Sequence, residues 1–145
     1  MSRPDAPILL QKQLPDVVQA LLAVYTPINK AAAPEPGLQH LVVLRASQIN
    51  QCGYCVKMHT REARADGETN ERLDRLVVWR HVGDYSPRER AALAWTEALT
   101  QLDPRADYGP LRAELRAHFS DAEIAALTAT IAMINVWNRI QVSDH

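Results

Sequence analysis

The chain has 145 residues, 47% of them hydrophobic and 23% charged, with a formal net charge of −1. A charge this close to zero offers no electrostatic attraction to nucleic acid or to an anionic membrane surface, so neither is expected as a partner. No apolar stretch approaches the roughly 20 residues that span a bilayer, and no signal-peptide pattern follows Met1, so we expect a cytoplasmic protein. The length suits a single domain, 1–145, with its own hydrophobic core.

The composition predicts an all-α fold. Alanine and leucine dominate and runs of valine, isoleucine and aromatic residues are scarce, which favours about six helices and no strand. Residues 1–14 are predicted as an N-terminal arm, extended over Asp5–Gln13. A helix should begin at Pro15, because proline suits the first helical turn, and Pro27 should kink or end it.

The predicted core, 38–142, starts with a helix from Leu38 to about Asn50. The next helix begins at the first cysteine and ends near Gly67, a residue suited to a helix C-terminus. Four more helices follow: from Thr69 or Asn70 to Trp79, from Ser86 to about Leu102, from Leu111 to His118, and from Ser120 to about Val142. The second and fourth of these open with capping boxes that contain Glu89 and Glu123.

The last predicted helix is apolar on nearly every side between Ala125 and Val136. A helix of this kind is buried, either in the core of its own domain or against another subunit. We therefore expect a homo-oligomer.

The motif Cys52-Gly53-Tyr54-Cys55-Val56-Lys57-Met58-His59 contains both cysteines of the chain. Cys52, Cys55 and His59 are spaced so that they fall along one face of a helix. A helix N-terminus stabilises a thiolate, and His59, one turn past Cys55, can accept a proton from it. The expected chemistry runs from thiolate to sulfenic acid to an internal disulfide, which an outside dithiol then reduces.

Three other interpretations of the motif remain open. A zinc site would need a fourth ligand beyond Cys52, Cys55 and His59, and His40, His81 or His118 could supply it. A purely structural disulfide is disfavoured, because so short a loop removes little entropy from the unfolded chain. The two cysteines could also be inert and buried.

Other polar and aromatic residues are weaker candidates. Asn135, Trp137, Asn138 and Arg139 could line or support the site, although helix packing is the favoured interpretation of Trp137. Trp79 and Trp95 are expected in the core or at an interface. A solvated charged face is the interpretation of a further set: Asp66, Glu68, Glu71, Arg72, Asp74 and Arg75.

The motif and its surroundings resemble a known family. The stretch LVVLRASQINQCGYCVKMHT (41–60) is similar to the core of AhpD-like alkylhydroperoxidases, in the carboxymuconolactone decarboxylase superfamily. The resemblance continues through Glu62-Ala63-Arg64, Gly67-Glu68-Thr69, Trp79-Arg80, ERAALAWTEA (89–98) and INVWNR (134–139).

This resemblance implies an all-helical fold that assembles as trimers, dimers or hexamers, with no cofactor. It implies a peroxide substrate and a dithiol reductant such as dihydrolipoamide or a thioredoxin-like protein. In the family pattern Cys55 reacts with peroxide, Cys52 resolves the oxidised product, and His59 relays protons. The decarboxylase branch lacks the paired cysteines, so its lactone chemistry is not implied.

Two positions depart from the family pattern. The relay glutamate, twelve residues before the first cysteine, is replaced by His40, which can shuttle protons but cannot carry negative charge. His40 is therefore either a substitute base or a helix histidine with a solvent or backbone partner. Tyr54 stands where some members have a histidine, and a tyrosine that ionises near pH 10 is a poor proton relay at neutral pH.

The function predicted from the sequence is thiol-dependent peroxide reduction in antioxidant defence, with Cys52, Cys55, His59 and His40 as catalytic residues. The alternative is a redox-sensing or thiol–disulfide-exchange protein with little peroxidase turnover. Sustained peroxide consumption would distinguish the first from the second.

Overall fold

The computed structural model describes residues 3–145, and over these residues it contains nine α-helices, one 3₁₀ helix and no strand. The predicted all-α class is confirmed, while Met1 and Ser2 of the predicted arm lie outside the described residues. The helices are α1 (Leu10–Gln13), α2 (Pro15–Ala23), α3 (Tyr25–Ala32), α4 (Pro36–Ile49), α5 (Gly53–Ala65), α6 (Asn70–Arg75), a 3₁₀ helix (Leu76–His81), α7 (Pro87–Gln101), α8 (Gly109–Arg116) and α9 (Asp121–Asp144).

The N-terminal region has more helix than the sequence predicted. The expectation of an extended arm is wrong for α1, and the backbone N–H of Leu10 donates to Oδ1 of Asp144 at the far end of the chain. Pro27 does interrupt the first predicted helix, which is divided into α2 and α3 at Val24. The interruption is expected, because Pro27 has no N–H to donate to the carbonyl of Ala23.

The helix predicted to run to Trp79 ends early as an α-helix. Thr69 caps α6 by accepting the N–H of Arg72, but α6 changes to 3₁₀ geometry at Leu76, and Val78 has non-helical dihedral angles (φ −119°, ψ 27°). The change directs the buried Trp79 towards α4 and α7, where it packs with Leu41, Leu44 and Leu93. Tertiary packing at Trp79 therefore prevails over the local helical pattern.

Part of the predicted solvated face is not solvated. Arg72 bonds to Glu68 (2.8 Å) and to Glu89 of α7, and its guanidinium lies 4.8 Å from the ring centroid of Tyr85. Burial raises the pKa of Tyr85 to about 12. The interpretation of Glu68 and Arg72 as surface charges is wrong: the two residues pair with each other, and Arg72 also binds Glu89, which lies on a helix that sequence spacing does not bring near.

Two capping boxes fix the starts of α7 and α9, as predicted. In each, a serine side chain accepts the N–H of the glutamate three residues on, and that glutamate accepts the N–H of the serine. Helix α7 ends at Gln101. The N–H of the C-cap residue Leu102 still donates to the carbonyl of Ala98, and the left-handed backbone of Leu102 (φ 53°) turns the chain out of the helix. These caps set the ends of the two helices that pack against α4.

Helix α4 lies at the centre of the fold, packed against α5, α7 and α9. Its side chains enter two hydrophobic clusters: Leu38 and Val42 pack with Trp95 and Ile131, and Leu41 and Leu44 pack on the opposite side. Each such side chain contributes about 1.5–3 kcal/mol on burial, so α4 is firmly held. The turn that follows α4 leads directly to Cys52.

A buried carboxylate also fixes α4 to its neighbours. Glu97 of α7 accepts hydrogen bonds from Arg45 Nε (3.0 Å), Trp79 Nε1 (2.8 Å) and an amino group of Arg80 (3.0 Å). Burial would raise the pKa of Glu97, but these three donors hold that pKa below its ordinary value. The ion cluster joins α4, α7 and the 3₁₀ helix.

Helix α9 is buried over much of its length, as its sequence predicted. Its buried residues are Ala126, Leu127, Thr130, Ile131, Met133, Ile134 and Asn138, whereas Ala125 and Ala132 are exposed. Packing within the chain accounts for the buried residues, and the subunit interface stays a prediction. None of the helices among residues 3–145 has both the length and the apolar character needed to cross a membrane.

Candidate active site

The turn between α4 and α5 places Cys52 at the start of a helix. The turn contains Gln51 in the left-handed region (φ 55°), a conformation that costs a residue other than glycine of the order of 1 kcal/mol. The N–H of Cys52 then donates to the carbonyl of Ser47 (3.1 Å), which closes the turn. Cys52 is thereby the N-cap residue of α5, as the motif predicted.

A network of amide side chains holds this turn against α9. Asn50 Nδ2 donates to Oδ1 of Asn135 and of Asn138, both at 2.9 Å, and Asn138 Nδ2 donates to Ser47 Oγ at 2.9 Å. Asn138 is fully buried, so its hydrogen bonds are not weakened by water. The sequence suggested that Asn135 and Asn138 support the site, and the structure places both beside the turn that precedes Cys52.

The two cysteines form a disulfide at the N-terminus of α5. Each is only 1% exposed, and Cys52 Sγ accepts the backbone N–H of Cys55 (3.2 Å). The free N–H groups of a helix N-terminus favour negative charge, so this position stabilises a thiolate once the disulfide is reduced.

Cys55 opens onto a cavity of about 390 Å³ enclosed by α2, α3, α4, α5 and α9. Its apolar lining is formed by Leu22, Val43, Met58, Ile134 and Trp137. Its polar lining is formed by Tyr25, Gln39, His40, Tyr54, His59, Glu62 and Gln141. The cavity therefore presents a sulfur atom and two histidines to a mainly hydrophobic space, an arrangement typical of small-molecule sites.

His59 lies in this cavity with a carboxylate partner. Its Nδ1 is 3.3 Å from Oε2 of Glu62, so the ring donates from Nδ1 and leaves the Nε2 lone pair free. Burial lowers the pKa of His59 below its ordinary value of 6.5, although Glu62 acts in the opposite direction. The imidazole is consequently neutral at pH 7 and can accept a proton.

His40 also has a carboxylate partner, which the sequence did not reveal. Its Nε2 lies 2.6 Å from Oδ2 of Asp66, the residue that follows α5. Asp66 was interpreted as part of a solvated face; its side chain is 58% exposed, but it reaches back to His40. The two histidines therefore line one cavity, each with its own carboxylate.

The i, i+3 spacing of His59 and Glu62 was a usable sequence signal for the first of these pairs. No such signal exists for His40, on α4, and Asp66, just after α5, which are 26 residues apart.

Aromatic residues from both ends of the chain enclose the cavity. Trp137, interpreted from the sequence as a packing residue, lines the cavity, and its Nε1 donates to the hydroxyl of Tyr25 (2.7 Å). Burial raises the pKa of Tyr25. Tyr54, between the cysteines, stacks on His145 with ring centroids 4.9 Å apart. No sequence signal indicated that Tyr25 lines the cavity, because Tyr25 lies far along the chain from the 52–59 motif.

The remaining sequence candidates lie elsewhere. His81 ends the 3₁₀ helix beside a different cavity, and His118 pairs with Glu114 (3.3 Å) on α8. Among residues 3–145 no group of three or more histidine, cysteine, aspartate and glutamate side chains is clustered as a metal site requires.

Arg139, a weaker candidate from the sequence, donates to the carbonyl and side-chain oxygens of Asn135, at 3.0 Å each.

The fold and the paired cysteines agree with the comparisons to known proteins. Residues 15–98 match the carboxymuconolactone decarboxylase family, and the chain belongs to this family as an AhpD-like member. It is 36% identical over 105 residues to the uncharacterized protein YdfG of Bacillus subtilis. The matched region covers 72% of this chain and 71% of YdfG.

Two solved structures illustrate the fold. A protein of unknown function from Agrobacterium tumefaciens, named as a candidate AhpD antioxidant defence protein, superposes with a TM-score of 0.88 at 37% identity, covering 97% of this chain and 95% of its own. The debrominase Bmp8 superposes with a TM-score of 0.78 at 20% identity, covering 91% of this chain and 70% of its own. At that identity the likeness to Bmp8 concerns the fold alone.

Proposed function

We propose that this protein is a thiol-dependent hydroperoxide reductase that cycles between a dithiol and the Cys52–Cys55 disulfide. The observation that carries the proposal is that Cys55 and His59 line the same largely apolar cavity. A reactive sulfur, a neutral histidine and a hydrophobic enclosure are what reduction of an organic hydroperoxide requires. Membership of an AhpD-like family supports the same conclusion.

The first step oxidises Cys55. His59, neutral at pH 7, takes the thiol proton of Cys55 through its free Nε2. The thiolate then attacks the terminal, hydroxyl-bearing oxygen of the hydroperoxide, and the O–O bond breaks. The leaving alkoxide takes the proton back from His59 and departs as an alcohol. Cys55 is left as a sulfenic acid.

The second step forms the disulfide. Cys52 Sγ attacks the sulfur of the Cys55 sulfenic acid, the S–O bond breaks, and water leaves with the proton of the Cys52 thiol. The Cys52–Cys55 disulfide at the helix N-terminus supports this step, since it is the product that the step would form. An external dithiol then supplies two electrons and returns both cysteines to the reduced form.

His40 acts as the substitute for the family's relay glutamate. With Asp66 accepting from Nε2, the Nδ1 lone pair of His40 is available to exchange protons with groups in the cavity.

The alternative function is redox sensing, in which the disulfide forms but is not reduced rapidly. The burial of both sulfur atoms favours this alternative, since it limits access of an outside thiol. Turnover separates the two functions: a reductase consumes many equivalents of hydroperoxide per subunit, whereas a sensor consumes one.

The experiment is a steady-state assay with cumene hydroperoxide and, separately, hydrogen peroxide, with dihydrolipoamide as reductant. We expect sustained turnover that is faster with the organic peroxide and absent in Cys55→Ser. The matched control is Ser143→Cys, which places a thiol at an exposed position of α9 in the Cys55→Ser background and should not restore turnover. Turnover that survives Cys55→Ser would exclude the proposed role of Cys55.

A further inference from the structure

The two cysteines of the disulfide line different cavities. Cys55 lines the large cavity described above, whereas Cys52 lines a second one of about 210 Å³. The second cavity is formed by the turn before α5 and the end of α9: Gln51, Cys52, Gly53, Tyr54, Gln141, Val142 and His145. Neither His40 nor His59 belongs to it, so Cys52 is the one group among its lining residues to which the proposed peroxide chemistry assigns a role.

Tyr54 and Gln141 line both cavities and so form the wall between them. Tyr54 is held in this place by its stacking on His145, whose Nδ1 in turn lies 2.9 Å from the carbonyl of Gln141. A molecule in one cavity is therefore separated by side chains from a molecule in the other.

The geometry of thiol–disulfide exchange gives this separation a consequence. An attacking thiolate approaches a disulfide along the S–S axis, from behind the sulfur it attacks, and expels the other sulfur. A thiol in the second cavity meets Cys52 without passing Cys55, and it would expel Cys55 towards the large cavity. Cys55 would then be released next to His59.

We propose that the second cavity is the entry site of the external reductant, which attacks Cys52 Sγ; this inference rests on the proposed function. The thiolate of the reductant bonds to Cys52, the Cys52–Cys55 bond breaks, and Cys55 leaves as a thiolate. The second thiol of the reductant attacks its own sulfur in the mixed disulfide, so that Cys52 leaves as a thiolate and the reductant departs as a cyclic disulfide. Two electrons pass from the reductant to the protein.

The lining of the second cavity indicates which class of dithiol enters. It offers amide, aliphatic and aromatic groups and the imidazole of His145, and no lysine, arginine or carboxylate side chain is among its residues. With Cys52 1% exposed, the entering group must be slender. An uncharged aliphatic dithiol on a flexible arm meets both conditions, whereas a cysteine on a folded protein surface meets neither.

The first test identifies the attacked sulfur in the unmodified protein. The oxidised protein is mixed with 2-mercaptoethanol, which cannot complete the second step, and released thiols are trapped with N-ethylmaleimide at several early times. Peptide mass mapping, extrapolated to zero time, should find the mercaptoethanol adduct on Cys52 and the maleimide on Cys55. The opposite pattern, or equal amounts of both, would overturn the proposal.

The second test blocks the cavity. Val142→Trp fills the cavity from an exposed position. Val77→Trp is its control, because Val77 is 57% exposed, as Val142 is 54% exposed, and lines neither of the two cavities. In Val142→Trp, reduction of the disulfide by dihydrolipoamide should slow by about tenfold, and by far more than oxidation of the prereduced protein by cumene hydroperoxide. The control should match the parent in both reactions. Equal rates of reduction in both variants would contradict the assignment.

These measurements separate this inference from the proposed function. Reduction of the disulfide is followed without any peroxide, so a protein that fails as a peroxidase still reports which sulfur is attacked. Conversely, attack on Cys55 would leave the peroxidase proposal intact and remove only the role of the second cavity.

Discussion

The imidazole of His40 and the carboxylate of Asp66 are joined by a 2.6 Å contact between helix α4 and the end of helix α5. The family resemblance implies a glutamate at the position of His40; in this chain a carboxylate meets that histidine from Asp66. Asp66 does not line the cavity, whose own carboxylate is Glu62. In the proposed mechanism the negative charge and the proton-carrying group are divided between Asp66 and His40.

Asp66→Asn should slow peroxide consumption by about tenfold, because an amide does not fix the tautomer and orientation of the His40 imidazole as a carboxylate does. His40→Ala should cost at least as much, and the double variant no more than His40→Ala alone, since the two residues act together. Steady-state rates with cumene hydroperoxide provide the measurement. Asp74→Asn, at an exposed position of α6, is the control. Full additivity of the two single effects would contradict a coupled pair.

His59 should set the acid limb of the pH–rate profile. Its neutral form accepts the thiol proton, so the rate falls as the pH drops through the pKa of His59, which burial places below 6.5. Glu62 raises this pKa, by its charge and its hydrogen bond. In Glu62→Gln the limb should therefore move to lower pH, while the plateau rate decreases because the ring loses its orienting partner.

The measurement is the pH dependence of the first-order oxidation of prereduced protein in stopped flow. Glu114→Gln, which removes the carboxylate partner of His118 on α8, is the matched control and should leave the limb in place. A limb that moves to higher pH in Glu62→Gln would mean that Glu62 does not stabilise the cationic imidazole.

Local sequence signals were sufficient for much of the fold. Pro15, the two capping boxes and Gly67, whose φ is +96°, mark helix ends that the structure confirms. These signals work because the groups that cap a helix lie within a few residues of its end. The position of Cys52 at the start of α5 could be predicted for the same reason.

Contacts between distant segments could not be predicted in this way. The transition at Leu76 follows from the packing of Trp79 against α4 and α7, and Asp66 meets His40 only because α4 and α5 pack side by side. Trp137 was expected to pack within the helices, but its Nε1 bonds to Tyr25 at the wall of the cavity. In each case the deciding partner lies on another helix, where residue spacing carries no information.

Glu97→Ala should destabilise the protein by about 3 kcal/mol, because it leaves the Nε–H of Arg45 and the indole N–H of Trp79 without their acceptor and Arg45 without its carboxylate. For a chain of this size the melting temperature should fall by about 6–12 °C. Glu114→Ala, which removes an exposed carboxylate, should change it little. Equal melting temperatures for the two variants would contradict the structural role of Glu97.

The same cluster should make stability depend on acid pH. Because the folded-state pKa of Glu97 lies below its ordinary value of 4.5, its contribution is complete above pH 4.5 and is lost as the pH falls through the folded-state value. Urea denaturation between pH 3 and pH 6 should show a shallower loss of the free energy of unfolding in Glu97→Gln than in the parent. A steeper loss in the variant would reverse the assigned direction.

Asn138 should influence the redox behaviour of the cysteines without touching them. Asn138→Ala removes one acceptor of Asn50 and the donor to Ser47, which frees the turn that carries Gln51 in its strained conformation. We expect a loss of about 2 kcal/mol in the free energy of unfolding. We also expect a measurable change in the Cys52–Cys55 reduction potential, read by equilibration with dihydrolipoamide and lipoamide, because the N-cap geometry of Cys52 depends on this turn.

The control for this variant is Asn70→Ala, which removes an exposed amide that accepts from Arg64 (2.8 Å). It should leave both the unfolding free energy and the reduction potential near the parent values. If Asn138→Ala lost stability but kept the parent potential, the buried amide network would serve packing alone. A shifted potential in Asn138→Ala, without a shift in Asn70→Ala, would show that Asn138 acts on the Cys52–Cys55 pair through the turn between α4 and α5.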